Sequence, residues 1–150
     1  MKEVKFHDLS FKDRSLIARA KKIRENAHAI FSKYKVGAAL LADNGEVYLG
    51  VNVEAPCCVT THAEVNAINA MVTHGGKRIK SLCCVSDKMG IPCPHCCQKI
   101  WSFSGNNPNL KIIAVSAKDD IIRITTIGEI CPYPSSGSLK VKDNNSKAYG

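Results

Sequence analysis

No run of this chain approaches the roughly 18 uninterrupted apolar residues that a membrane-crossing helix needs. The charged opening MKEVKFHDLSFKDR also lacks the apolar centre of a secretory signal. Both absences point to a soluble, cytoplasmic protein with no membrane partner. Internal repeats are absent too, which excludes a repeat array. The 21 Lys and Arg outnumber the 13 Asp and Glu to give a net charge of +8, yet they form no single basic run. They are spread over the amino-terminal helical segment and the tail, as on solvated faces. No loop interleaves aromatic and basic residues as single-strand binding requires, so nucleic acid is not an expected partner. A disulfide framework is equally unexpected, because such frameworks belong to short exported chains. Of the eight cysteines, six stand as adjacent pairs (Cys57-Cys58, Cys83-Cys84, Cys96-Cys97), which fit reduced thiols or metal ligands better than well-spaced bridges. Cys57, Cys58, Cys83, Cys84 and Cys131 read as small packing residues.

What is present suffices for one packed domain: 150 residues, 45% of them hydrophobic. The domain is expected over residues 1–134, followed by a polar, flexible tail over 135–150 that is rich in Lys, Asn, Ser and Gly. Ser10 followed by Asp13 marks a helix start, and Leu16, Ile17, Ala20, Ile23, Ala27, Ile30 and Phe31 recur at helical spacing, predicting a helix over 12–31. Strand-like runs at 36–41 and 46–53 flank Asn44-Gly45, a hairpin signature. Thr60 or Thr61 is expected to cap a second helix that Gly75-Gly76 stops. A third strand follows over 79–86, then a short helix over 96–103 and strands over 111–117 and 121–127. This order predicts an α/β fold of three layers, a mixed five-stranded sheet with helices on both faces.

The chemistry-bearing residues are His62-Ala63-Glu64 and Pro92-Cys93-Pro94-His95-Cys96. One His and two Cys meet the ligand count of a catalytic zinc, whose fourth position stays open. The Cys-x-x-Cys spacing at a helix start turns both sulfurs toward one point and favours thiolate. Glu64, two residues beyond His62, would stand near the metal without binding it, as suits a proton shuttle. A closed structural site is the alternative, with His95 or Cys97 as its fourth ligand.

His-x-Glu with Pro-Cys-x-x-Cys is the known signature of zinc-dependent nucleobase deaminases, and the chain resembles the cytidine deaminase family from about Ala18 to Tyr133. The resemblance extends to Phe31-Ser32-Lys33-Tyr34-Lys35-Val36-Gly37-Ala38-Ala39-Leu40 and to Gly50-Val51-Asn52-Val53-Glu54-Ala55. It implies one zinc ion per subunit, held by His62, Cys93 and Cys96. It implies that Asn52 and Glu54 hold the ribose hydroxyls, that Tyr34 lines the base pocket, and that the backbone around Ala63 and Cys93 holds the pyrimidine amide edge. Glu64 would take a proton from the attacking water, protonate N3, and deliver a proton to ammonia as it leaves C4, converting cytidine or deoxycytidine to uridine or deoxyuridine in pyrimidine salvage. Family members of this size form homotetramers with shared active sites.

Three departures stand out. His62 occupies a position where small members usually have Cys, and Cys97 one where they usually have Arg. Two thiolates and a neutral imidazole already neutralise zinc, so the arginine is not needed. Ala55-Pro56-Cys57-Cys58 replaces a polar and aromatic segment beside the ribose, and Ile130-Cys131-Pro132-Tyr133-Pro134 lacks the family's closing Phe, leaving Tyr133 as the nearest aromatic to cover the base. Other readings stay open: a deaminase of a cytosine-containing antibiotic of the blasticidin S type, a nucleic-acid cytosine deaminase, and a non-catalytic zinc module. Asn52 and Glu54 as plain polar residues ending a strand, and Tyr34 as a core aromatic, stay open too.

Overall fold

The structure is a computed structural model and describes residues 1–57 and 59–135. Cys58 and all of the expected tail beyond Ser135 lie outside the described residues. The sequence builds helix α1 (Phe11–Arg24), the hairpin β2 (Val36–Ala42) and β3 (Val47–Val51), a small ribbon β4 (Val53–Ala55) and β5 (Val59–Thr61), and helix α2 (Ala63–Thr73). Strand β6 (Ile79–Ser86), helix α3 (Pro94–Ser102), strands β7 (Lys111–Ser116) and β8 (Ile122–Thr126) and the single turn α4 (Ile127–Ile130) follow. Lys2–Val4 forms β1, which makes the main sheet six-stranded rather than five, in the order β1-β8-β7-β6-β2-β3. Two of its three residues, Lys2 and Glu3, are charged and leave no hydrophobic period, so this edge strand exists only through its ladder to β8. The β6–β7 pair is parallel and the other pairs are antiparallel, as a mixed sheet requires.

Strand alternation divides the core into two layers. Ala39, Cys83, Val85, Ile113 and Val115 face Leu16, Ile17 and Ala20 of α1. Ala38, Leu40, Leu82, Cys84 and Ile112 face the opposite side, against Ala63, Ala67, Ile68 and Met71 of α2 and Cys96 and Ile100 of α3. Adjacent Cys83 and Cys84 therefore occupy opposite layers, both buried, as packing residues. Cys57 departs from that expectation: it is exposed and adopts a left-handed φ of 63° in the turn between β4 and β5.

Several helix boundaries differ from the sequence pattern, among them α3, which spans 94–102 instead of 96–103. The first helix ends at Arg24 instead of 31, because the chain turns away to hydrogen-bond alongside the β3–β4 segment. His28 N donates to Asn52 O at 3.0 Å, and Glu54 N donates to His28 O at 2.8 Å. Ile30 and Phe31, which complete the helical period, are 44% and 63% exposed. The second helix begins one residue later than a Thr61 cap implies and two later than a Thr60 cap does. Both threonines belong to β5, and His62 takes the N-cap position without a side-chain cap bond. The hairpin forms as expected, with Gly45 at φ 85° in its turn.

Candidate metal and substrate site

Gly50 sets the distance between sheet and helix. A Cβ there would lie 2.2 Å from Ala63 O and 2.4 Å from Ala67 N, so only glycine lets α2 rest its backbone on β3. Asn66 reinforces the join by donating to Val51 O at 2.8 Å and to Thr61 Oγ1 at 3.0 Å. The start of α2, with His62 and Glu64, is thereby fixed over the carboxyl end of β6. The start of α3 arrives from the other side, with Cys93 as N-cap and Pro94 in the first turn.

These two helix starts bring His62, Cys93 and Cys96 together, their donor atoms all within 4.8 Å of one another. His62 Nδ1 lies 3.2 Å from Cys96 Sγ and 3.3 Å from Cys93 Sγ, so the imidazole presents Nδ1 to the thiols. The donor set fits zinc: one nitrogen and two sulfurs at a cavity wall, three in number. Burial, followed by Glu64 and Cys93, pushes the Cys96 thiol up, so thiolate there requires a cation beside it. The candidate fourth ligands stand apart from this cluster. Cys97 Sγ is turned to Pro92 O at 3.3 Å, and His95 is exposed with its ring edge-on to His62 at 6.0 Å.

The cluster opens into a cavity of 430 Å³, a size suited to one nucleoside-sized ligand. At the metal end stand His62, Cys93, Ala63 and Glu64, the last only 5% exposed. Glu64 lies beside Cys84, and burial together with that carboxylate pushes the Cys84 thiol up. At the far end stand Asn52, Glu54, Ser32 and Thr60. The carboxylate of Glu54 accepts Phe31 N–H at 2.7 Å and Ser32 N–H at 3.0 Å on Oε2, and the Ser32 hydroxyl on Oε1. Those bonds, the hydroxyl first, hold it below the usual carboxylate range although burial opposes them. Asn52 Oδ1 accepts Val36 N–H and its Nδ2 donates to Tyr34 O, both at 2.8 Å. Tyr34 closes one side of the cavity, its hydroxyl 2.7 Å from Ser86 Oγ.

Eight of the nine site residues expected from the sequence thus border the metal cluster or the cavity. Tyr133 does not. It is 96% exposed, carried outward where Ser135 and Gln98 exchange hydrogen bonds on the outer side of α3. Within the chain Ile91 supplies an apolar side chain at the cavity edge instead. Sequence reasoning did not single out Ser32, Thr60, Ser86 and Ile91, and it gave Cys84 a packing role only. Ser86 had one signal, its place at the carboxyl end of a strand next to a parallel neighbour, where α/β sheets bind ligands.

Comparison with known proteins agrees with this geometry. Residues 10–108 match the family model of the cytidine and deoxycytidylate deaminase zinc-binding region. A cytidine deaminase of Sporosarcina psychrophila is 38% identical over 120 residues, covering 78% of this chain and 86% of that one. A cytidine deaminase of Halalkalibacterium halodurans is 30% identical over 132 residues, 87% and 96% of the two chains. Among solved structures, a cytidine deaminase from Burkholderia pseudomallei superposes with a TM-score of 0.74 at 28% identity, covering 84% of this chain and 99% of that one.

Proposed function

Because the chain belongs to the cytidine and deoxycytidylate deaminase zinc-binding family, we propose that it is a zinc-dependent hydrolase converting cytidine and deoxycytidine to uridine and deoxyuridine with release of ammonia. The observation that carries the reading is the convergence of His62, Cys93 and Cys96 at the end of a nucleoside-sized cavity that buried Glu64 also lines. Those three side chains hold one zinc ion per subunit. When bound, zinc supplies the Lewis acidity that makes water available as a nucleophile near neutral pH.

Glu64 accepts the proton that the attacking water loses and passes it to N3 of the ring, then takes the second proton from the new C4 hydroxyl and delivers it to the amine as the C4–N bond breaks. Its near-complete burial limits its contact with bulk water. Ala63 N–H, at the first position of α2 and so without a helical acceptor, faces the pyrimidine amide edge. Tyr34 flanks the base. Asn52 and Glu54 receive the sugar. Two carboxylate oxygens offer about four acceptor sites, and the three donors already on Glu54 leave room for a sugar hydroxyl. A negative charge at this end repels a sugar phosphate, which favours free nucleosides over nucleotides.

No disulfide joins cysteines among the described residues, which supports a reducing, cytoplasmic setting. No helix among the described residues is long and apolar enough to cross a membrane. Ile30, Phe31, Val59 and Tyr133 expose apolar surface, which supports a homotetramer in which Tyr133 covers the site of a neighbouring subunit. The place of the reaction is pyrimidine salvage. The test is the fall in ultraviolet absorbance when zinc-loaded protein meets cytidine, run beside Glu64→Ala. Rapid loss that depends on Glu64 is expected, and no turnover by zinc-replete wild type would overturn the reading.

A further inference from the structure

The hydroxyls of Tyr34 and Ser86 lie 2.7 Å apart, and both residues line the cavity. Neither hydroxyl has another hydrogen-bonding partner among the described residues. A pair of hydroxyls owns two hydrogens, and the bond between them uses one. Whichever oxygen donates, one hydroxyl hydrogen remains without a protein acceptor on the cavity wall. Ser86 is only 2% exposed, so that hydrogen faces a ligand more than bulk water.

The position of the pair fixes what it can meet. Ser86 lies two residues along β6 from Cys84, on the same face and about 6–7 Å away, and Cys84 neighbours Glu64. On the other side Tyr34 O is held by Asn52, whose side chain stands at the sugar end. The pair therefore occupies the middle of the cavity, between the reacting carbon and the ribose diol.

We propose that the Tyr34–Ser86 hydroxyl pair binds substrate by donating one hydrogen bond to an acceptor oxygen of the nucleoside, either the ring carbonyl O2 or the 5′-hydroxyl. This rests on the proposed nucleoside deaminase activity. N3 belongs to Glu64 and the 2′ and 3′ hydroxyls to Asn52 and Glu54; the ring carbonyl keeps a second lone pair beside a bond from Ala63 N–H, so it and the 5′-hydroxyl are the acceptors open in the middle of the molecule.

The test compares Tyr34→Phe, Ser86→Ala and the double variant with wild type on cytidine, 2-thiocytidine and 5′-deoxycytidine, with melting temperatures for each protein. Each single variant keeps one hydroxyl able to donate, so the double variant should raise KM by about three- to tenfold, clearly more than either single change, with the effect carried by KM rather than kcat. The penalty should vanish on 2-thiocytidine if the ring carbonyl is the acceptor, or on 5′-deoxycytidine if the sugar is. A purely structural pair behaves otherwise, since either single change already breaks its one bond. A double variant no worse than the singles, or the same KM ratio on all three nucleosides, would overturn the proposal. A wild type that fails to turn over cytidine would overturn the activity and this inference together, which differs from turnover with unaltered variants.

Discussion

The backbone N–H of Phe31 donates to the carboxylate of Glu54 across 2.7 Å, joining the loop after α1 to the sugar end of the cavity. Ser32 adds its own N–H and its hydroxyl, and the hydroxyl contributes most to holding Glu54 below its ordinary range. A depressed carboxylate binds fewer protons folded than unfolded, so its contribution is complete above the unfolded value near pH 4.3 and fades as pH falls through the folded one. Thermal melts at pH 7 and pH 3.5 are expected to show a smaller acid-side loss in Glu54→Gln than in wild type. Equal losses would separate the loop contact from acid stability.

The donor cluster makes a second expectation separable from turnover. His62→Ala, Cys93→Ala and Cys96→Ala each remove one of three ligands and should leave less than one zinc per chain by atomic emission. Glu64→Gln keeps all three and should retain zinc while kcat falls by about a hundred- to ten-thousandfold, the range of a lost general acid–base.

Cys97 offers a direct test of the charge argument. Its side chain is 2% exposed, packs in the layer beneath α3, and is pushed up to about 12 by burial, so it is a neutral group in the core. Cys97→Arg forces a long cation into that space at an overpacking cost of about 1–3 kcal/mol, before desolvation is counted. Lower melting temperature and lower kcat/KM are expected, and a gain in kcat/KM would refute the view that His62 makes an arginine unnecessary.

Gly50→Ala should be among the more damaging single methyl additions in the chain. The new Cβ meets backbone atoms of α2 that cannot rotate aside, so the helix start must move and carry His62 and Glu64 with it. A loss of at least about 1–3 kcal/mol, measured by urea unfolding, should accompany reduced zinc affinity.

Much of this was legible in the sequence because it rests on local signals. The Asn44-Gly45 turn, the Ser10 cap on Asp13 and the Cys93-Pro94-His95-Cys96 helix start each depend on a few neighbouring residues, and all three stand as expected. What was hidden depends on partners far along the chain. Ala27, Ile30 and Phe31 continue a helical period, yet the ladder with Asn52 and Glu54 takes them out of the helix. Lys2–Val4 has no strand pattern and becomes one by pairing across 120 residues with β8. Ser86 had only its strand-end position as a signal, because its partner Tyr34 is 52 positions away. Tyr133 shares the composition of a base-covering aromatic, but its position in space follows from Ser135 and Gln98.

His62 and Cys96 stand 34 positions apart, and all of β6 runs between them. A metal gripping both ends therefore works as a clasp around the central strand, since closing a loop of that length removes freedom from the unfolded chain much as a covalent cross-link does. The ion that performs the chemistry would then also fasten the fold. Stripping it with a chelator would loosen the middle of the sheet, and hydrogen exchange at β6 would register the release before the outer strand β1 changed.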